Sequence, residues 1–136
     1  MMALLVDTGF LYALADRSDA WHSRVVGYLA GHRQTLLAPV TIVPEVTYLL
    51  RERLGSQAEL AFVRSLAHHE IVVEELKRAD WSRIEEVLEH HDALGFVDAS
   101  IVAVAERLKT RELATTDRRH FSTFKPAHTA RFELVP

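Results

Sequence analysis

The stretch ALLVDTGFLYALAD, residues 3–16, decides how the chain is read. Its first four residues, Ala3–Val6, are apolar without alternation, the pattern of a strand covered on both faces. An acid, Asp7, ends the run. Phe10, Leu11 and Leu14 then follow on a short apolar helix, for which core burial is the default expectation. A doubly covered strand needs neighbours of the same kind, and the rest of the chain supplies them.

Four more short β-like runs stand at Leu36–Pro39, Ile71–Glu74, Leu113–Thr115 and Arg131–Val135. Helical patterns lie between them. Ser18–Leu29 carries Trp21, Val25, Tyr28 and Leu29 on one face at the 3.6-residue period. Thr41–Leu54 carries Val43, Val46, Leu50 and Leu54, with Pro44 tolerated in the first turn and Gly55 as the stop. Ser56–Ala67 is read with Leu60, Val63 and Leu66 or Ala67 inward. Asp80–His91 is read with Trp81, Ile84 and Leu88 inward, and Val97–Lys109 with Ile101, Val104, Ala105 and Leu108. Strands alternating with helices, and no tight hairpin signals between them, indicate parallel crossovers. The expectation is an α/β sandwich on a parallel sheet, made by a single domain spanning residues 1–136. The path of the two helices between the third and fourth strands is not fixed by the pattern.

Composition agrees with a globular domain: 49% hydrophobic and 26% charged residues over 136 positions. The absence of cysteine excludes disulfides and thiolate metal sites. The longest apolar runs, Ala3–Val6 and Leu36–Val40, are far short of a membrane span, and no secretory signal is visible, so a cytoplasmic protein without membrane contact is expected. A net charge of −3 argues weakly against indiscriminate nucleic-acid binding. It does not exclude a nuclease, because bound divalent cations reverse the field of an acidic site.

Four acids carry the chemistry. Each has an ordinary explanation: Asp7 as a helix cap, Glu45 and Asp98 as acids in the first turn of a helix, Asp117 as a turn residue. Their joint placement is less ordinary. Asp7 and Asp117 end the first and fourth strands, and Glu45 begins the helix that follows the second. The helix Val97–Lys109 is tied to the fourth strand by a short link, so its far end, with Asp98, lies at the carboxyl edge. All four acids converge on the edge where open α/β sheets bind ligands. Clustered carboxylates repel, and hard cations relieve that repulsion. Oxygen donors without cysteine or suitably spaced histidine select Mg²⁺ or Mn²⁺, which can activate a water for attack on a phosphodiester.

The segments VDTGFLYALAD (Val6–Asp16), PEVTYLL (Pro44–Leu50), GFVDASIVAVAERL (Gly95–Leu108) and ATTDRRHF (Ala114–Phe121) resemble the PIN domain, and within it the VapC toxins of bacterial toxin–antitoxin modules. The resemblance runs from Leu4 to about Phe132. It implies a five-stranded parallel sheet in the order 3-2-1-4-5 with helices on both faces, and an endoribonuclease using Mg²⁺ or Mn²⁺ on cellular RNA. It carries the acidic quartet onto Asp7, Glu45, Asp98 and Asp117, and supporting hydroxyls onto Thr8 and Thr116. It also implies a homodimer held in check by a VapB-like antitoxin, for which Phe10, Leu11 and Leu14 offer an apolar groove as the alternative to core burial. Two positions depart from many relatives. Gly9 stands where a serine is common, and Arg119 where a further acid is common, which leaves a first ion better provided with ligands than a second.

Arg118, Arg119 and His120 adjoin the acids and offer donors for RNA phosphates, against the plainer reading of a solvated turn. His68–His69 and His90–His91 are adjacent pairs, which point to different sides of a helix and are read as solvated. A haloacid-dehalogenase-type phosphatase would need a second aspartate where Gly9 stands, and a receiver domain a lysine at the end of the last strand, where neither Lys109 nor Lys125 falls. The remaining rival is a PIN-like binding module without catalysis, which predicts a missing acid; all four are present.

Overall fold

β1 (Ala3–Val6) is the central strand of a five-stranded, all-parallel sheet, in a computed structural model that describes residues 3–136. β2 (Thr35–Pro39) and β4 (Glu112–Ala114) flank it, β3 (Ile71–Glu74) lies outside β2, and β5 (Glu133–Val135) lies outside β4, giving the order 3-2-1-4-5. Leu5 stands opposite Leu37 on one side and Leu113 on the other. Leu4, Leu5 and Val6 are all buried. Successive strand side chains point to opposite faces, so both faces of the sheet are covered, as the unbroken apolar run requires.

The covering helices are α1 (Thr8–Ala15), α2 (His22–Gly31), α3 (Val43–Leu54), α4 (Ser56–Ala67), α5 (Arg78–His90), α6 (Phe96–Leu108) and the single turn α7 (Arg119–Ser122), which no periodicity announced. α1 packs on α2 and α3, α3 on α4, and α5 on α6. The α5–α6 pair is therefore an antiparallel hairpin of helices inserted between β3 and β4. A 3-10 turn at Val40–Ile42 precedes α3. Gly55 divides α3 from α4 at a positive φ of 99°, a conformation that side chains with a Cβ rarely adopt.

Several helix faces differ from the periodic reading. In α5 the buried residues are Asp80, Ile84 and Val87, while Trp81 is 55% and Leu88 40% exposed. An acid in the stripe is paired out of sight of the local pattern: Asp80 meets Arg107 of α6 at 3.0 Å and caps its own helix through the Lys77 N–H at 2.8 Å. Arg107 also reaches Glu74 of β3 at 3.1 Å, so this half-buried ion group ties α5, α6 and the sheet edge together. In α4 the buried residue is Phe62, and Leu60 and Val63 face outward. Leu54 and Leu108 end their helices partly exposed, and Val46, Leu50, Ile101, Val104 and Ala105 are buried as expected. His68, His69, His90 and His91 are all exposed.

Candidate active site

The sheet changes winding direction between β1 and β4, and the ends of those two strands carry Asp7 and Asp117. Asp7 is the N-cap of α1. Its Oδ1 accepts the Phe10 N–H at 2.9 Å, and its main-chain N–H continues the ladder to the Ala114 carbonyl at 3.0 Å. Its Oδ2 accepts the Thr115 hydroxyl. The side chain is nearly inaccessible, at 7% exposure. Burial is the main reason its carboxyl is pushed from 3.8 up to about 7; the Thr115 and Phe10 hydrogen bonds oppose the rise, and the nearby charges of Asp98 and Asp117 add to it.

Asp98 occupies the first turn of α6, Glu45 the first turn of α3, and Asp117 the loop after β4. Burial also raises Asp98. His120 lowers it, and the charges of Asp117 and Glu45 raise it further. Asp7 thus feels Asp98 and Asp117, and Asp98 feels Asp117 and Glu45: the four acids form one electrostatic cluster at the carboxyl edge. Glu45 Oε1 accepts the Thr8 hydroxyl at 2.6 Å.

A further hydroxyl, on Thr115, joins the site. Thr115, fully buried, touches Asp7, accepts the Asp117 N–H at 2.9 Å and lies 3.0 Å from the Asp117 carbonyl. Thr116 takes another place. Its Oγ1 lies 2.3 Å from where a Cβ on Gly9 would stand, so glycine at position 9 is what lets this hydroxyl sit against α1. A serine at position 9 requires Thr116 to turn away.

The basic residues divide. Arg119 is loosely set, its side chain 89% exposed and its Nε 3.9 Å from Asp117 Oδ1. Arg118 points along the β5 side, donating to the Pro136 main-chain oxygen and lying 5.5 Å from the centre of the Trp21 ring. Arg24 lies over the same ring at 4.3 Å. His120, read from sequence with the arginines, lies among the acids instead: its Nδ1 is 2.9 Å from Asp98 Oδ2 and 3.6 Å from Asp117 Oδ2.

By donor type the cluster fits a hard divalent cation, since it offers carboxylate and hydroxyl oxygens and no sulfur. By position the donors are gathered but not closed: among the described residues no group of three or more His, Cys, Asp or Glu side chains is set to hold an ion as it stands.

An open, parallel α/β domain with an acidic cluster across the switch point of its sheet is the class that fold and site define. The family model described as "PIN domain" matches residues 4–125, and the chain belongs to the PIN domain family. Ribonuclease VapC26 of Mycobacterium tuberculosis is 33% identical over 138 aligned positions, covering 98% of this chain and all of that protein. The crystal structure of VapC20 from the same organism, described as a toxin that cleaves the sarcin–ricin loop, superposes with a TM-score of 0.81 at 24% identity, over 93% of this chain and 98% of that one. VapBC2 of Rickettsia felis, solved with a DNA fragment from its promoter, matches at a TM-score of 0.72 and 13% identity, over 99% and 100% of the two chains. At these identities the two structures bear on the fold alone, and the sheet order is the one that the family resemblance implied.

Proposed function

We propose that the protein is a Mg²⁺- or Mn²⁺-dependent endoribonuclease, the toxin of a type II toxin–antitoxin pair, with Asp7, Glu45, Asp98 and Asp117 as its metal-binding acids. The observation that carries this reading is the buried carboxyl of Asp7, raised to about 7 with two further carboxylates beside it and no cationic side chain bonded to it among the described residues. Such a cluster is unfavourable without a positive guest, and the full-length likeness to a ribonuclease supports a metal ion as that guest. A bound ion supplies a water of lowered pKa and a counter-charge for the phosphoryl oxygen. The chain itself orients the acids: Thr115 fixes Asp7 against the Asp117 backbone, and Thr8 turns Glu45 toward α1. Arg119, and Arg118 beside Trp21, supply donors for the RNA backbone at the rim.

The antitoxin partner is supported by solved relatives that are toxin–antitoxin assemblies, from Klebsiella pneumoniae among others. An apolar groove of about 310 Å³ beside α1, lined by Leu11, Leu14, Leu50, Ala61, Phe62 and Ile71, offers such a partner a hydrophobic seat. Leu11 and Phe10 themselves are buried, and Leu14 is the residue of that trio left at the groove's rim. A homodimer is part of the proposal, and the stacked, exposed Trp81 and Phe96, 5.7 Å apart, are offered as its apolar contact. No helix among the described residues is long and apolar enough to cross a membrane, and a cytoplasmic site of action is part of the proposal.

The test uses the full chain, freed of any co-purified partner, with total RNA from its own cell. Cleavage in Mn²⁺ that stops in EDTA, and that is lost in Asp98→Asn with the fold and RNA binding retained, is the expected result. Failure of the wild-type protein to cut overturns the reading in favour of a binding module, and equal cutting by Asp98→Asn overturns the assignment of the acids.

A further inference from the structure

We propose that His120 is a positioning residue for the metal-binding acids, holding the Asp98 carboxylate in place beside Asp117; this rests on the metal-dependent reading above. Each of the other acids is held by a main-chain N–H or a threonine hydroxyl. Asp7 has the Phe10 N–H and Thr115, Glu45 has Thr8, and Asp117 has its own N–H on Thr115 and the Arg119 N–H at 3.2 Å on Oδ1. Asp98 has none of these. Among the described residues its carboxylate takes one hydrogen bond, from His120 Nδ1 at 2.9 Å, and its Oδ1 takes none.

The same nitrogen lies 3.6 Å from Asp117 Oδ2, beyond hydrogen-bond reach, so the imidazole stands between the two acids and bonds the one on the helix. With carboxylates on that side, Nδ1 is the nitrogen that carries the proton, and a neutral ring suffices for the contact. The ring is placed by its neighbour in sequence. Phe121, 1% exposed, packs edge-on against Phe132 at 6.4 Å and anchors α7, which brings His120 back over Asp117. Arg119 cannot substitute, being 89% exposed and 3.9 Å from its acid. Outer donors of this kind fix the lone pair that a ligating carboxylate presents, and their loss typically weakens metal binding 10–100-fold.

The experiment is a Mn²⁺ titration of the full chain, following free Mn²⁺ by electron paramagnetic resonance, with a thermal melt of each variant in EDTA. His120→Ala is expected to bind Mn²⁺ about tenfold more weakly while its EDTA melt stays within about 2 °C of the wild type, because the side chain is partly exposed. His120→Asn, whose amide nitrogen falls near Nδ1, is expected to recover most of the affinity. Equal binding by His120→Ala overturns the proposal, and tighter binding overturns it by making the ring an occupant of the cation's place. If the wild type binds no Mn²⁺, the metal-dependent reading itself fails.

Discussion

Replacing Asp7 by asparagine exchanges a buried, crowded carboxyl for a neutral group of the same shape. At 1.36 kcal/mol for each tenfold change in acidity, a carboxyl moved from 3.8 to about 7 is charged in the folded state at a cost of about 4 kcal/mol. Relaxation around the charge brings the expected effect to about 1–3 kcal/mol. The hydrogen bonds survive the exchange. Asparagine Oδ1 keeps the Phe10 N–H, its amide donates to Thr115, and the Thr115 hydrogen turns to the Asp117 carbonyl 3.0 Å away. The sign follows from the proton count. Below pH 3.8 both folded and unfolded wild type carry the proton, and no penalty exists. As pH rises the unfolded chain ionises first, the folded state binds more protons, and wild-type stability falls until about pH 7, where the loss levels off. Asp7→Asn has no such fall. In EDTA at pH 8 the variant is expected to melt about 3–10 °C above the wild type, and at pH 4 at about the same temperature. Added Mn²⁺ should raise the wild-type melt and leave the variant nearly unchanged. Calorimetry or circular dichroism across pH decides. A variant less stable than wild type at pH 8, or a difference that does not change with pH, refutes the account of Asp7 as an uncompensated buried charge.

Other perturbations test other parts of the molecule. Asp80→Ala removes the buried partner of Arg107 and the cap of α5, and urea unfolding should show a loss of about 3 kcal/mol; less than about 1 kcal/mol means that the ion group does not hold α5 to α6. Gly9→Ala forces the Thr116 hydroxyl aside while gaining helix propensity, so its net effect is expected to stay within about 1 kcal/mol and to become a gain of about 1 kcal/mol when Thr116→Ala is the background; additive effects in that double-mutant cycle speak against the close approach. Arg119→Ala, made in the Asp98→Asn background so that RNA survives, should weaken RNA binding several-fold and lower the salt slope by about 1 in a filter-binding assay. An unchanged slope removes Arg119 from the phosphate contacts.

The parallel sheet and the edge that gathers the acids were legible in the chain because both depend on local signals. Unbroken apolar runs mark strands covered on two faces, and short links force the helices to run back, which sends Asp7, Glu45, Asp98 and Asp117 to one edge whatever the packing details. The strand order itself came through family resemblance rather than periodicity. What tertiary structure alone decided turns on single-residue register and distant partners. Strand side chains alternate with period two, so whether Thr115 or Thr116 supports Asp7 depends on where β4 meets β1, which neighbouring threonines cannot announce. Asp80 lies in the buried stripe of α5 only because Arg107, one helix away, neutralises it; without that partner the apolar pattern points to Trp81 and Leu88, which the structure leaves in solvent. His120 meets Asp98 across 22 positions of sequence, and only a folded chain brings an imidazole and a carboxylate to 2.9 Å.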